Sequence, residues 1–127
     1  MRTGAKQSDL VAALRAEGIV NPRLLEAVRA VPRANFVRPD LVRRAYLDEP
    51  LPIPRDQVTT QPSLVAKMLD ALELDGTERV LEVGTGYGWQ TGLLAQLARE
   101  VWSVERWPDL AETAREHLRR ERVANAT

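Results

Sequence analysis

Leu10, Val11 and Leu14 recur at helical spacing among polar positions, so a first helix is expected from an N-cap at Ser8 to about Glu17, with Gly18 ending it. Asn21-Pro22 is a second start signal. An N-cap side chain there precedes a proline whose missing N–H costs nothing at the first helical position. Leu24, Ala27, Val28 and Val31 then repeat on one helical face. Pro32, Pro39, Pro50, Pro52 and Pro54 follow too closely for a long helix, so residues 31–61 are expected to be extended or looped, with one short helix near Asp40 to Ala45.

At Gln61-Pro62 the pattern changes. Leu64, Val65, Met68, Leu69 and Leu72 make an apolar helical stripe that stops at Asp75-Gly76. Arg79 to Val83 is a short apolar run that meets a glycine cluster, and Trp89 to Arg99 carries Leu93, Leu94, Leu97 and Ala98 on one face. Val101 to Val104 is a second short run, and Pro108 opens a helix on which Leu110, Ala114 and Leu118 recur every four residues. Strand, glycine turn, helix, strand, helix is the βαβα half of a doubly wound α/β sheet. The chain thus divides into a helical and looped segment, 1–61, and the first half of a Rossmann-like domain, 62–127.

Its 127 residues amount to one domain. With 44% hydrophobic and 28% charged residues it is a folding chain, which excludes collagen-like and disordered classes. Eighteen basic and 18 acidic residues cancel, so no global field draws nucleic acid or an anionic membrane, and neither partner is expected. The absence of cysteine removes disulfides, thiolate nucleophiles and Cys-ligated metals. The single histidine, His117, excludes a His-pair metal site and is read as a solvated helix residue, so no metal is expected. No run approaches the roughly 20 apolar residues of a membrane span, and residues 1–20 lack the apolar core of a signal peptide. A cytoplasmic address is expected.

Chemistry enters at Leu81-Glu82-Val83-Gly84-Thr85-Gly86-Tyr87-Gly88. Three alternate glycines directly after a strand let the backbone turn tightly and let a ligand lie against it, and the helix that follows presents unpaired N–H groups. Glu105 stands at the end of the next strand, about 20 residues on, where a carboxylate accepts both ribose hydroxyls of an adenosine cofactor. Trp89 occupies the third glycine position of a dinucleotide fingerprint, which disfavours NAD, and no Gly-Lys-Ser/Thr follows for a Walker-type site.

An acidic residue two before the first glycine, followed by Gly-x-Gly-x-Gly, resembles motif I of the class I S-adenosylmethionine-dependent methyltransferases. The likeness narrows further. Val31-Pro32-Arg33, Phe36-Val37, Ala45-Tyr46, Asp48, Pro50-Leu51-Pro52-Ile53, Gln61-Pro62, Val80 to Gly86 and Val104-Glu105-Arg106 are similar, in order and spacing, to the protein L-isoaspartate (D-aspartate) O-methyltransferase family across nearly the whole chain. The resemblance implies S-adenosyl-L-methionine as cofactor, with Glu82 near its methionine end, Gly84, Thr85, Gly86 and Gly88 cradling it, and Glu105 on its ribose. It implies isoaspartyl-containing proteins or peptides as substrates. The family places a serine hydroxyl near the substrate carboxylate, two residues before the proline of its Ser-Gln-Pro segment. Thr60 takes that place here, keeping the hydroxyl but adding a methyl group that stiffens χ1. Thr59 is a second candidate hydroxyl. A helix-capping role for Thr60 is the plainer reading, and it is compatible with a catalytic one. Arg33, inside the signature, is expected to pair with a carboxylate of protein or substrate, and Trp102 or Trp107, flanking Glu105, to pack near the adenosine.

The chemistry so implied needs no histidine or cysteine. A side-chain-like carboxylate with a pKa near about 4 is already ionised at neutral pH, so methyl transfer from a sulfonium asks for alignment and water exclusion rather than a base. The ester would then lose methanol to a backbone nitrogen, and the resulting succinimide would hydrolyse partly to normal aspartate without an enzyme. Two further readings stay open: a related methyltransferase acting on a normal aspartate of a ribosomal peptide, and an inactive fragment or cofactor-binding module. Class I sheets have about seven strands and the sequence supplies two, at roughly 30 residues per βαβ unit. The expectation is therefore of a C-terminally truncated enzyme that associates through an exposed sheet edge or with its missing half.

Overall fold

Helix α1 (Gln7–Ala16) begins earlier than its serine suggested. Its N-cap is Lys6, whose backbone N–H is held by the Asp9 carboxylate at 2.7 Å, so Ser8 lies inside the first turn. The C-terminus closes with Gly18 N–H on Arg15 O and Ile19 N–H on Leu14 O, which tucks Ile19 into the core. This computed structural model describes residues 6–127; the first five residues of the expected 1–61 segment lie outside them. Helix α2 (Pro22–Ala30) starts as its sequence indicates, the Asn21 side chain accepting from Arg23 N–H at 3.0 Å.

Residues 31–61 hold two 3₁₀ turns, Arg33–Phe36 and Pro39–Arg44, and a hairpin of strands β1 (Leu51–Ile53) and β2 (Gln57–Thr59). The sequence reading did not anticipate the hairpin. Its turn places Arg55 and Asp56 at φ 67° and 53°, a conformation that Asn-Gly would have announced and Arg-Asp does not. Helix α3 (Pro62–Ala71) buries Val65, Ala66 and Leu69, while Leu64, Met68 and Leu72 are about half exposed, so only part of the expected stripe faces the core.

The βαβα alternation is present: β3 (Arg79–Val83), α4 (Trp89–Leu97), β4 (Glu100–Val104) and α5 (Pro108–Arg120). Strands β3 and β4 pair in parallel from Arg79 with Glu100 to Val83 with Val104. Residues 125–127 continue the sheet beyond β4, with Val101 N–H on Asn125 O at 2.8 Å and Thr127 N–H on Val101 O at 2.9 Å. The Asn125 amide also donates to Ala95 O at 2.9 Å near the end of α4. Successive right-handed crossovers stepping the same way put their helices on one face of the sheet. That face is closed over Val101 and Glu82, whereas Leu81, Val83, Trp102 and Val104 on the other are 46–80% exposed.

One core joins residues from both sides of the 61/62 division, including Leu10, Leu14, Val28, Phe36, Val65, Leu93 and Val101. Gly92 lets α4 approach the N-terminal segment, since a Cβ there would stand 3.0 Å from Val31 Cγ1. Among the described residues no helix is long and apolar enough to cross a membrane, and no cluster of His, Cys, Asp or Glu suited to a metal occurs.

Candidate functional site

Strand β3 delivers the chain to the glycine loop at the carboxyl end of the sheet. Gly84 and Thr85 N–H groups both reach Val104 O, at 2.8 and 3.2 Å, so the loop leaves β3 still tied to β4. Gly84 has φ +94°, which L side chains avoid, and a Cβ built there would meet nothing within 4 Å. The chain therefore presents bare backbone to open space at this point, a cradle that a ligand can fill. Gly88, at φ +98°, serves a different end: a Cβ there would sit 3.5 Å from Ala114 and Leu118 of α5, so its lack of a side chain admits that helix.

Glu105 closes the opposite wall. Its two carboxylate oxygens accept from Gly86 N–H at 2.8 Å and from Trp107 N–H at 3.1 Å, which leaves each oxygen lone pairs for a further donor such as a sugar hydroxyl. Glu105, Gly84, Val83, Val104, Arg106, Trp107 and Gln57 line one cleft of about 490 Å³. A larger one, about 820 Å³ between α5 and residues 122–127, shares Val104 and Glu105 with it. The first contains the bare backbone of Gly84 and the carboxylate together. Trp107, not Trp102, borders it; Arg55 and Arg106 lie over the indole at 4.8 and 4.6 Å, while Trp102 lies on the exposed sheet face.

Glu82 points elsewhere than into this cleft. It is 4% exposed and accepts from Gln90 Nε2 at 2.9 Å, Ser103 Oγ at 2.6 Å and the Thr91 hydroxyl, with Ser103 in turn bonded to the hydroxyl of Thr85. Burial pushes its carboxyl above the usual range; the three hydrogen bonds and the nearby Glu105 charge are smaller influences. Its visible task is to tie the end of β3, the start of α4 and the glycine loop into one polar cluster.

The two threonines differ. Thr59 Oγ1 accepts from Arg33 Nη2 at 3.0 Å and from Leu51 N–H at 3.1 Å, leaving only its own hydrogen to donate. Thr60 is exposed on the link to α3 and does not cap that helix. Asp48 does so instead, accepting from Ser63 N–H at 2.8 Å and Gln61 Nε2 at 3.2 Å. The Thr60 hydroxyl is thereby left for other work.

Arg33 pairs with no carboxylate. It is 1% exposed and donates to the carbonyls of Ala45, Leu47 and Glu49, at 3.3, 3.0 and 2.8 Å, as well as to Thr59. Its guanidinium lies 5.8 Å from the centre of the Trp89 ring, whose N–H bonds Val31 O at 2.9 Å. Burial lowers its pKa to about 10, against the raising influence of Asp48 and Glu49. The 45–49 loop, β2 and α4 thus converge on one cation. His117 corrects its reading as a solvated residue: it is half-buried between Phe36 and Tyr87 and bonds the Tyr87 carbonyl at 2.8 Å. No helical period or motif in the sequence pointed to that contact.

Residues 5–127 match the family model described as protein-L-isoaspartate(D-aspartate) O-methyltransferase. Curated protein-L-isoaspartate O-methyltransferases from Syntrophus aciditrophicus and Myxococcus xanthus are 53% and 51% identical to the chain, over 105 and 114 residues. These alignments cover 83% and 90% of this chain but 48% and 54% of the relatives, so the chain spans about half the length of the curated relatives it matches. Among solved structures, a protein-L-isoaspartate O-methyltransferase superposes with a TM-score of 0.80 at 25% identity, covering 94% of this chain and 40% of that one. A Plasmodium falciparum protein described under the same name, in complex with S-adenosyl-L-homocysteine, shares the fold at a TM-score of 0.77 and 21% identity, over 96% of this chain and 61% of that one. The ordered signature around Arg33, the glycine loop facing Glu105 and these matches agree: the chain belongs to the protein-L-isoaspartate(D-aspartate) O-methyltransferase family.

Proposed function

We propose that this chain is the cofactor-binding and carboxylate-presenting part of an enzyme that transfers the methyl group of S-adenosyl-L-methionine to the free carboxylate of L-isoaspartyl or D-aspartyl residues in damaged cytoplasmic proteins. One observation carries the reading: Glu105 and the bare backbone of Gly84 share a cleft at the strand ends, in a chain of this family. When bound, the cofactor would supply an electrophilic methyl group for transfer to the carboxylate, its sulfonium sulfur being the leaving group. Glu105 would accept hydrogen bonds from the ribose hydroxyls, and the backbone of Gly84, Thr85 and Gly86 would lie close to the cofactor, with Gly88 completing the loop by admitting α5 behind it. Glu82 holds the end of β3 from within. Thr60 donates its hydroxyl to the substrate carboxylate, with Thr59 beside it, held by Arg33. The carboxylate is already ionised at neutral pH, so these residues orient and desolvate rather than remove a proton.

The remainder of a full-length relative would meet the exposed sheet face of Leu81, Val83, Trp102 and Val104 and complete the site. The test is transfer of labelled methyl from S-adenosyl-L-methionine to a matched pair of peptides, isoaspartyl and aspartyl. Label on the isoaspartyl peptide alone is the expected result. Label on the aspartyl peptide alone would overturn the substrate assignment, and failure to bind the cofactor would overturn the site.

A further inference from the structure

Past the Val104 carbonyl that holds Gly84 and Thr85, the glycine loop is gripped at two further peptide units, and both grips come from the β4–α5 segment. At one, Glu105 takes the Gly86 N–H at 2.8 Å. At the other, His117 on α5 lies with Nδ1 2.8 Å from the Tyr87 carbonyl oxygen. That carbonyl belongs to the residue before the N-cap of α4, so no intrahelical N–H reaches it. A carbonyl only accepts, so Nδ1 carries the hydrogen and, in the neutral ring, Nε2 is left without one. The ring is fixed from two sides, edge-to-face with Phe36 at 5.6 Å and 74° and with Tyr87 at 5.3 Å and 85°. Its helical neighbours Ala114 and Leu118 stand 3.5 Å from where a Gly88 Cβ would be, so α5 presses on the loop just beside the hydrogen bond.

We infer that His117 is a positioning residue for the cofactor loop: by holding the Tyr87 carbonyl it sets the orientation of the 87–88 peptide, as Glu105 sets that of the 85–86 peptide, and so shapes the cradle at Gly84 to Gly88. The inference rests on the cofactor reading above, but part of its test does not. His117 is the chain's sole histidine, so a ¹⁵N–¹H ring spectrum reports it alone. The neutral ring is expected to carry its proton on Nδ1.

Two substitutions separate positioning from packing. In His117→Asn the amide nitrogen takes the place of Nδ1, whereas in His117→Gln it takes the place of Nε2. The readouts are exchange of the Gly88 amide, which bonds Thr85 O at 3.0 Å inside the loop, and calorimetric affinity for S-adenosyl-L-homocysteine. His117→Asn is expected to match the parent in both. His117→Gln is expected to exchange faster at Gly88 and to bind about two- to twelvefold more weakly, the range set by the net worth of one hydrogen bond. An Nε2–H tautomer, or equal behaviour of the Asn and Gln variants in both readouts, would overturn the inference. If no form binds the ligand, the cofactor reading fails, and the ring tautomer with Gly88 exchange decides the role of His117 by itself.

Discussion

Residues 33–61 and residues 79–105 both border the proposed site, and they are organised by opposite means. The second stretch is built on a regular parallel pair whose register runs unbroken from Arg79 with Glu100 to Val83 with Val104, so the glycine loop and Glu105 spring from strand ends held by backbone hydrogen bonds spread along two strands. The first has two strands of three residues and two 3₁₀ turns, and its loop is gathered by the four hydrogen bonds of buried Arg33. Distributed order tolerates the loss of any one contact, because its neighbours hold the register. Order concentrated in one cation does not.

The largest expected effect follows directly. Arg33→Met removes the donors to three carbonyls and Thr59; Leu47 O keeps the Glu49 N–H and Thr59 the Leu51 N–H, so the Ala45 and Glu49 carbonyls are left without a donor at about 1–3 kcal/mol each, and a loss of about 4 kcal/mol in unfolding free energy is expected by urea titration. Arg33→Lys should recover less than half of it, because a single ammonium cannot span acceptors that a planar fork reaches. Two variants as stable as the parent would show that the loop is held by its own turns. Protease cleavage within 45–61 should rise in Arg33→Met while the 79–105 stretch stays protected.

Glu82 is the one place where the regular stretch also concentrates its order. Glu82→Ala orphans donors from Gln90, Thr91 and Ser103 and should cost about 2–3 kcal/mol. Its pH behaviour is sharper. Burial raises the carboxyl above its ordinary 4.5, so the folded protein holds that proton more tightly than the unfolded chain. The contribution of this group to stability therefore grows as pH falls through the raised value and is complete below about 4.5. Hydrogen bonds lower Asp75 and Glu100, which therefore act in the opposite direction, so the stability difference between Glu82→Gln and the parent is the quantity to follow from pH 7.5 to 4.5. It should shift in favour of the parent on acidification. No shift would mean that Glu82 is not buried as described.

The smallest effect belongs to a surface contact joining the first stretch to α5, the helix that follows the second. Arg55 on the hairpin turn meets Asp109 at 3.3 Å, with side chains 47% and 50% exposed. Arg55→Ala should cost under about 1 kcal/mol and lose most of that difference in high salt.

The same contrast explains what could be read from the sequence. Arg79–Val83, the helix from Trp89 and the helix from Pro108 were legible because period and glycine punctuation fall on the same residues. Glu105 was legible by its spacing from the glycines. The hairpin was not, because Arg55 and Asp56 adopt positive φ without a turn residue to signal it. Arg33 stood out only within a family signature, and its partners are chiefly backbone carbonyls, which no side-chain pattern encodes. Only Val65 and Leu69 of the α3 stripe are buried: Leu64 lies about 100° and 140° around the helix from them, and Leu72 is already the C-cap. Pairing of His117 with Tyr87 bridges 30 residues and depends on how α5 packs on the loop.

The central claim is that Glu105 and the glycine loop form one ligand-binding unit at the strand ends. Titration of S-adenosyl-L-homocysteine into the ¹⁵N-labelled chain, followed by backbone amide shifts, tests it most directly. Saturable shifts centred on Gly84 to Gly88 and Glu105 to Trp107, lost in Glu105→Ala, are the predicted result. Saturable binding that leaves those amides unmoved, or that survives Glu105→Ala at full affinity, would contradict it.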